Sequence, residues 1–129
     1  DTSVWIDYFN GIESITTDVL DNALANDTVV IGDLIFLEIL QGFRRDKDYN
    51  SARKTLRLLD HYEMLGLHMV EKCAENYRAL RKKGITIRKT TDIIIATFCI
   101  EAKLPLLYSD KDFIPFSKHL GLIGASNET

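Results

Sequence analysis

Cysteine is scarce in this sequence, and neither a long apolar run nor a secretory signal pattern is present. The 129 residues include two cysteines, Cys73 and Cys99, and both have apolar neighbours in helix-like stretches. We therefore expect two reduced thiols in the core of a cytoplasmic protein, and not a disulfide framework. No apolar run approaches the roughly 20 residues that a membrane-spanning helix needs.

Several common catalytic motifs are also missing. The three histidines, His61, His68 and His119, stand in no recognisable arrangement with a serine or cysteine nucleophile, and no G-x-S-x-G occurs. The sequence has no glycine-rich phosphate-binding loop. Its histidine and cysteine spacing fits no zinc site. The sequence therefore gives little support to these three kinds of site.

Basic residues are absent from the first third of the chain. Residues 1–43 contain eight acids and no lysine or arginine, although the net charge of the whole chain is only −3. Residues 76–91, in contrast, contain six basic residues and no acid. A nearly neutral average therefore hides one acidic and one basic region, which we expect to face different partners.

Short apolar runs alternate with helix-like stretches along the chain. Runs at residues 28–31, 67–70, 106–108 and 120–123 predict strands. Residues 93–100 are apolar on nearly every side and predict a helix that is buried all round. Alternating strands and helices predict one α/β domain over residues 1–129, with a mostly parallel sheet of four to five strands covered on both faces.

Four acids stand next to strongly apolar sequence or at a predicted strand end, where an unpaired carboxylate is costly. These acids are Asp1, Glu38, Asp92 and Asp110. Two carboxylates about 4 Å apart repel by roughly 4 kcal/mol at an effective dielectric of 20. If the four converge, either some are protonated or a cation lies among them. Oxygen ligands favour Mg²⁺ or Mn²⁺, and such a site is suited to phosphodiester hydrolysis.

Each acid also has a structural interpretation. Asp92 would suit the first turn of a helix, which accepts negative charge. Asp112 would suit the N-cap of the last helix, and Asp110 a turn. Glu38 lies in the middle of an apolar helix, where it has no local structural role. Spacing alone does not show that these acids converge.

Four segments taken together resemble the PIN domain, and more narrowly the VapC-type toxins of bacterial toxin–antitoxin pairs. The segments read DTSVWID (1–7), EILQGFR (38–44), GITIRKTTD (84–92) and SDKDF (109–113). The resemblance covers essentially the whole chain. It implies a three-layer α/β/α fold and a toxin endoribonuclease that hydrolyses RNA with Mg²⁺ or Mn²⁺. It also implies a homodimer and a cognate VapB-like antitoxin whose C-terminal segment approaches the acidic pocket.

The resemblance also implies roles for individual residues. The catalytic and metal-binding acids would be Asp1, Glu38, Asp92 and Asp110, with Asp112 as a fifth candidate ligand. The supporting hydroxyls would be those of Thr2 and Ser109. The basic residues that we expect on RNA phosphates are Arg44, Arg45, Arg81, Lys82, Arg88 and Lys89. We expect the acidic first third to dock the antitoxin.

The sequence departs from the family at its start. The family has a few apolar residues that form a strand before the first acid, whereas this sequence opens on Asp1. We therefore expect further residues upstream of Asp1. Two other functions stay open at this point, a receiver-like phosphoacceptor and a non-catalytic α/β binding domain.

Overall fold

The chain folds into helices that surround a short parallel sheet. The computed structural model describes residues 1–125. Its helices are α1 (Thr2–Phe9), α2 (Ile15–Ala25), α3 (Asp33–Gln41), α4 (Asp46–Leu56), α5 (Leu67–Lys82), α6 (Thr90–Ala102) and α7 (Ile114–His119). The strands are β1 (Val30–Gly32) and β2 (Asp60–Tyr62), and a 3₁₀ turn covers Lys111–Phe113. Helices thus separate the two strands along the chain, as parallel pairing requires.

The sheet has less regular structure than the sequence predicts. β1 pairs with β2 in parallel, with Ile31 opposite His61. A second parallel pairing is a single bridge between Leu106 and Gly124, in which Leu106 N donates to Ile123 O at 2.8 Å. Within residues 1–125 the predicted four to five strands are therefore two strands and one bridge. Leu106 belongs to the strand predicted at 106–108, whereas Gly124 directly follows the strand predicted at 120–123.

The strand predicted at residues 67–70 is wrong, because α5 begins there. The backbone N–H groups of Met69 and Val70 both donate to Gly66 O, which closes the first turn of a helix. Met69 and Cys73 are buried, whereas Leu67 is 89% exposed. This burial follows helical spacing, which a run of four residues is too short to reveal.

α6 is the most deeply buried helix of the described chain. Its buried residues extend from Asp92 to Thr97 without a break and include Cys99, so the predicted all-round burial is confirmed. Cys73 and Cys99 are both buried free thiols, as expected. Burial raises the pKa of Cys99 to about 11. None of the described helices combines the length and apolar composition that crossing a bilayer requires.

An apolar cavity of about 300 Å³ lies between the two parts of the sheet. It is lined on one side by β1 and on the other by Leu106 and Leu107, with Asp1 at its border. The α-amino group of Asp1 donates a hydrogen bond to Leu107 O. Burial lowers the pKa of this amino group to about 5. The two parallel pairings thus flank an apolar gap and do not form one continuous ladder. The tail from Ser126 onwards lies outside the described residues.

Candidate metal centre

Four acids from distant parts of the chain line one cavity of about 270 Å³. Asp1 stands at the start of α1, Glu38 in α3, Asp92 in the first turn of α6, and Asp110 just before the 3₁₀ turn. The first and last of them are 109 positions apart in sequence. The fold therefore brings together the four acids that the sequence singles out.

Asp1 is held by three backbone N–H groups. Its Oδ1 accepts from Val4 N at 2.9 Å, which makes Asp1 the N-cap of α1. Its Oδ2 accepts from Ser109 N at 3.3 Å and from Asp110 N at 3.2 Å. The side chain is buried, so these donors supply the partners that a buried carboxylate needs. Asp1 consequently ties the start of the chain to the turn that carries Asp110.

Glu38 is held by two threonine hydroxyls. Thr2 Oγ1 donates to Glu38 Oε1 at 2.7 Å, and Thr91 Oγ1 donates to Glu38 Oε2 at 3.4 Å. Among the described residues no lysine or arginine forms an ion pair with Glu38. Thr2, one of the two supporting hydroxyls that the resemblance implied, therefore contacts a carboxylate that lines the cavity. Thr91 was not predicted, although a hydroxyl directly before the acid of a buried helix was a signal in its favour.

Within residues 1–125, one buried side-chain oxygen has no hydrogen-bond partner, and it is Oδ2 of Asp92. The N-cap of α6 is Lys89, and no side chain makes a capping hydrogen bond there; Asp92 lies in the first turn, where the structural interpretation also puts it. Burial raises the pKa of Asp92 to about 6; the charge of Lys89 opposes this shift, and Asp110 and Glu38 add to it. Asp92 is therefore a buried carboxylate whose charged form is unfavourable in this structure.

Asp110 and Asp112 complete a tight group of acids. Asp110 caps the 3₁₀ turn, because its Oδ1 accepts from Asp112 N at 2.9 Å. Asp112 does not cap the last helix, whose N-cap is Phe113, so that interpretation of Asp112 is wrong. Oxygens of Asp92, Asp110 and Asp112 all lie within 4.8 Å of one another.

This group of oxygens fits a hard divalent cation. Such ions bind carboxylate oxygens at about 2.0 to 2.6 Å, which suits three oxygens that lie this close together. Oδ2 of Asp92, which has no hydrogen-bond partner among the described residues, is an independent sign of an unfilled ligand position, whereas Asp112 already pairs with Arg88. Asp1 and Glu38 line the same cavity but stand outside the group of three.

Comparison with known proteins agrees with this geometry. The sequence model of the PIN domain family matches residues 1–118. This chain belongs to the PIN domain family. PIN domains are three-layer α/β/α proteins, so the predicted fold class is confirmed.

The chain is also similar to two curated mycobacterial proteins along nearly its full length. These are VapC ribonuclease Mb1587 of Mycobacterium bovis and ribonuclease VapC11 of Mycobacterium tuberculosis. Each is 27% identical to this PIN domain over 128 residues, which is 98% of this chain and 96% of the relative. The resemblance identified from four short segments thus extends over the whole PIN domain.

Two of the predicted RNA-binding residues of this PIN domain lie at the acids. Lys89 lines the acidic cavity, and Arg88 Nη2 donates to Asp112 Oδ2 at 3.2 Å. The other predicted RNA-binding residues are exposed, and no contact places them at the acids: Arg44, Arg45, Arg81 and Lys82. Ser109 meets Asp1 through its backbone N–H, and not through the hydroxyl that the resemblance implied.

Proposed function

We propose that this PIN domain, spanning residues 1–129 as one unit, is a metal-dependent endoribonuclease and the toxin of a toxin–antitoxin pair. The observation that carries the proposal is the partnerless buried Oδ2 of Asp92, in a group of carboxylates whose oxygens lie within 4.8 Å of one another. Support comes from the full-length similarity to two proteins that are named VapC ribonucleases.

The cation that we propose is Mg²⁺ or Mn²⁺, because the candidate ligands are all oxygens. Asp92 and Asp110 would hold it, with Asp112 beside them and with Glu38 and Asp1 facing the same cavity. Such an ion supplies Lewis acidity at a phosphoryl oxygen and lowers the pKa of an attacking water.

The protein's own groups prepare the site for RNA. The N–H groups of Ser109 and Asp110 donate to Asp1 and so fix the turn that carries Asp110, and the hydroxyl of Thr2 fixes Glu38. Among the described residues, Lys89 is the one basic residue that lines the acidic cavity. Its charge would attract a phosphodiester of RNA towards the proposed cation.

RNA cleavage with and without a divalent ion tests the proposal. Purified protein should cleave RNA with Mn²⁺ or Mg²⁺, stop when EDTA is added, and recover when the ion is restored. A receiver-like domain would instead take up phosphate from acetyl phosphate, and a binding domain would do neither. Sequencing the ends of RNA cut in cells would identify the substrate.

The antitoxin and homodimer are part of the same proposal. The first 43 residues carry no basic residue, so we expect a basic antitoxin segment to dock there and reach the acids. Ile6 supports this site, because it lines the acidic cavity and is 40% exposed. Light scattering of the purified protein, alone and with antitoxin, would give the stoichiometry. A monomer at high concentration would refute the homodimer and leave the nuclease untouched.

A further inference from the structure

Glu38 is tied to two other helices by hydroxyl groups alone. Thr2 belongs to α1 and donates to Oε1 at 2.7 Å, while Thr91 belongs to α6 and donates to Oε2 at 3.4 Å. The sequence separations are 36 and 53 residues. Both carboxylate oxygens of Glu38 therefore accept hydrogen bonds from helices that are distant in sequence. Only the tertiary fold brings these helices close to α3.

A neutral donor is the right partner for a carboxylate that has to bind a cation. A lysine or arginine would orient Glu38 but would also satisfy its charge and compete with the ion. A hydroxyl restricts the rotamers of the side chain and leaves its negative charge in place. The 3.4 Å contact of Thr91 is longer than a tight O–H···O bond, so Oε2 keeps room for a second interaction.

The hydroxyl of Thr91 is not used by its own helix. In the first turn of a helix a threonine hydroxyl commonly bonds nearby backbone groups, yet the partner of Thr91 is a side chain of another helix. Its neighbour Asp92 enters the acidic group from the same turn. One turn of α6 thus supplies both an acid and the donor that reaches a second acid.

We propose that Thr91 is a positioning residue, whose hydroxyl holds the carboxylate of Glu38 towards the cavity so that Glu38 can bind the divalent cation. This inference rests on the proposed metal-dependent function. Thr91 acts only through Glu38. It touches neither RNA nor the reacting phosphate.

Mn²⁺ binding without RNA tests this role directly. Thr91→Val keeps the shape and removes the donor, Thr91→Ser keeps the donor, and Thr90→Val makes the same change at the exposed neighbouring position. We expect Thr91→Val to weaken Mn²⁺ binding about tenfold, within the range for residues that orient metal ligands. Thr91→Ser and Thr90→Val should bind as the wild type does. Electron paramagnetic resonance of free Mn²⁺ measures the affinity.

A double-mutant cycle separates positioning from simple packing. In a Glu38→Gln background, Thr91→Val should cause no further loss of Mn²⁺ affinity, because the carboxylate that Thr91 positions has been removed. Independent, additive losses would overturn the proposal, and so would a metal-free melting temperature that falls equally in Thr91→Val and Thr91→Ser. If the wild type binds no Mn²⁺, the proposed function and this inference both fail. If it binds Mn²⁺ and cleaves RNA but Thr91→Val is unchanged, only this inference fails.

Discussion

Carboxylate oxygens of Asp92 and Asp110 lie within 4.8 Å of each other, on the first turn of one helix and just before another helical turn. Asp92 Oδ2 is buried and has no hydrogen-bond partner among residues 1–125. Asp110 raises the pKa of Asp92 further, beyond the larger effect of burial. The metal-free site is therefore a source of instability that a cation would relieve.

Replacing Asp92 separates function from stability. We expect Asp92→Asn to abolish RNA cleavage and to raise the free energy of unfolding of the metal-free protein by about 1–2 kcal/mol at pH 7. The gain arises because one buried like charge is removed. Urea denaturation with EDTA measures it, and Asp18→Asn on the exposed side of α2 is a matched control. A clear loss of stability would show that Asp92 serves its helix and not a metal.

The pH dependence of stability should identify the same group. The pKa of Asp92 is raised from its usual 3.8 to about 6, so the folded state binds more protons than the unfolded state between these values. The contribution of Asp92 to the free energy of unfolding therefore falls as pH rises from about 4 to 6. This fall should be absent in Asp92→Asn. Parallel pH curves for both proteins would contradict the assignment.

Divalent ions should stabilise the fold through Glu38. Mn²⁺ at a hundred times its dissociation constant adds about 2.7 kcal/mol to the free energy of unfolding, and the melting temperature should rise accordingly. Glu38→Gln should show a smaller rise, whereas Glu13→Gln, an exposed acid outside the cavity, should match the wild type. Equal rises in all three proteins would remove Glu38 from the site.

The basic end of α5 should govern RNA binding and its salt dependence. The guanidinium of Arg81 lies 5.8 Å from the ring centroid of Tyr77, and Lys82 is exposed beside it. The logarithm of the RNA association constant falls with log[salt]. Reversing both charges should make this slope less steep by about 0.7 for each lost contact to single-stranded RNA. Mn²⁺ affinity should not change. An unaltered slope would place the RNA elsewhere. Reversing the charges of Arg53 and Lys54, both exposed on α4, makes the same change in net charge and is the control.

An apolar extension ahead of Asp1 should stabilise the protein by filling the cavity beside β1. Four β-branched apolar residues joined to Asp1 would enter the gap between β1 and Leu107, where Leu107 O already accepts from the Asp1 nitrogen. We compare them with four glycine and serine residues, since either extension converts the buried amino group into a peptide N–H. The apolar version should melt several degrees higher. Equal melting temperatures would show that the cavity does not accept a strand.

The candidate acids could be singled out from local sequence because charged residues seldom stand within strongly apolar sequence. Glu38 in an apolar helix and Asp92 at the start of a buried helix stand out for that reason. Their meeting in one cavity depends on tertiary structure, which spacing does not encode. The resemblance to the PIN domain supplied that missing information.

The elements that could not be predicted lack a pattern of their own. All three residues of β2 are exposed, so no alternation marks it as a strand. Leu67 and Val70 lie in the first turn of α5. They are apolar, as strand residues often are, but both are exposed. The contact of Thr91 with Glu38 joins residues 53 positions apart, and only coordinates reveal it.

The backbone N–H groups of Ser109 and Asp110 both bind the first residue of this sequence. During translation those two groups are added more than a hundred residues after Asp1. Under the proposed function, a nascent chain holds Asp1 and Asp110 apart until residue 110 has left the ribosome. The set of acids that we propose for the cation would thus be incomplete in any shorter nascent chain.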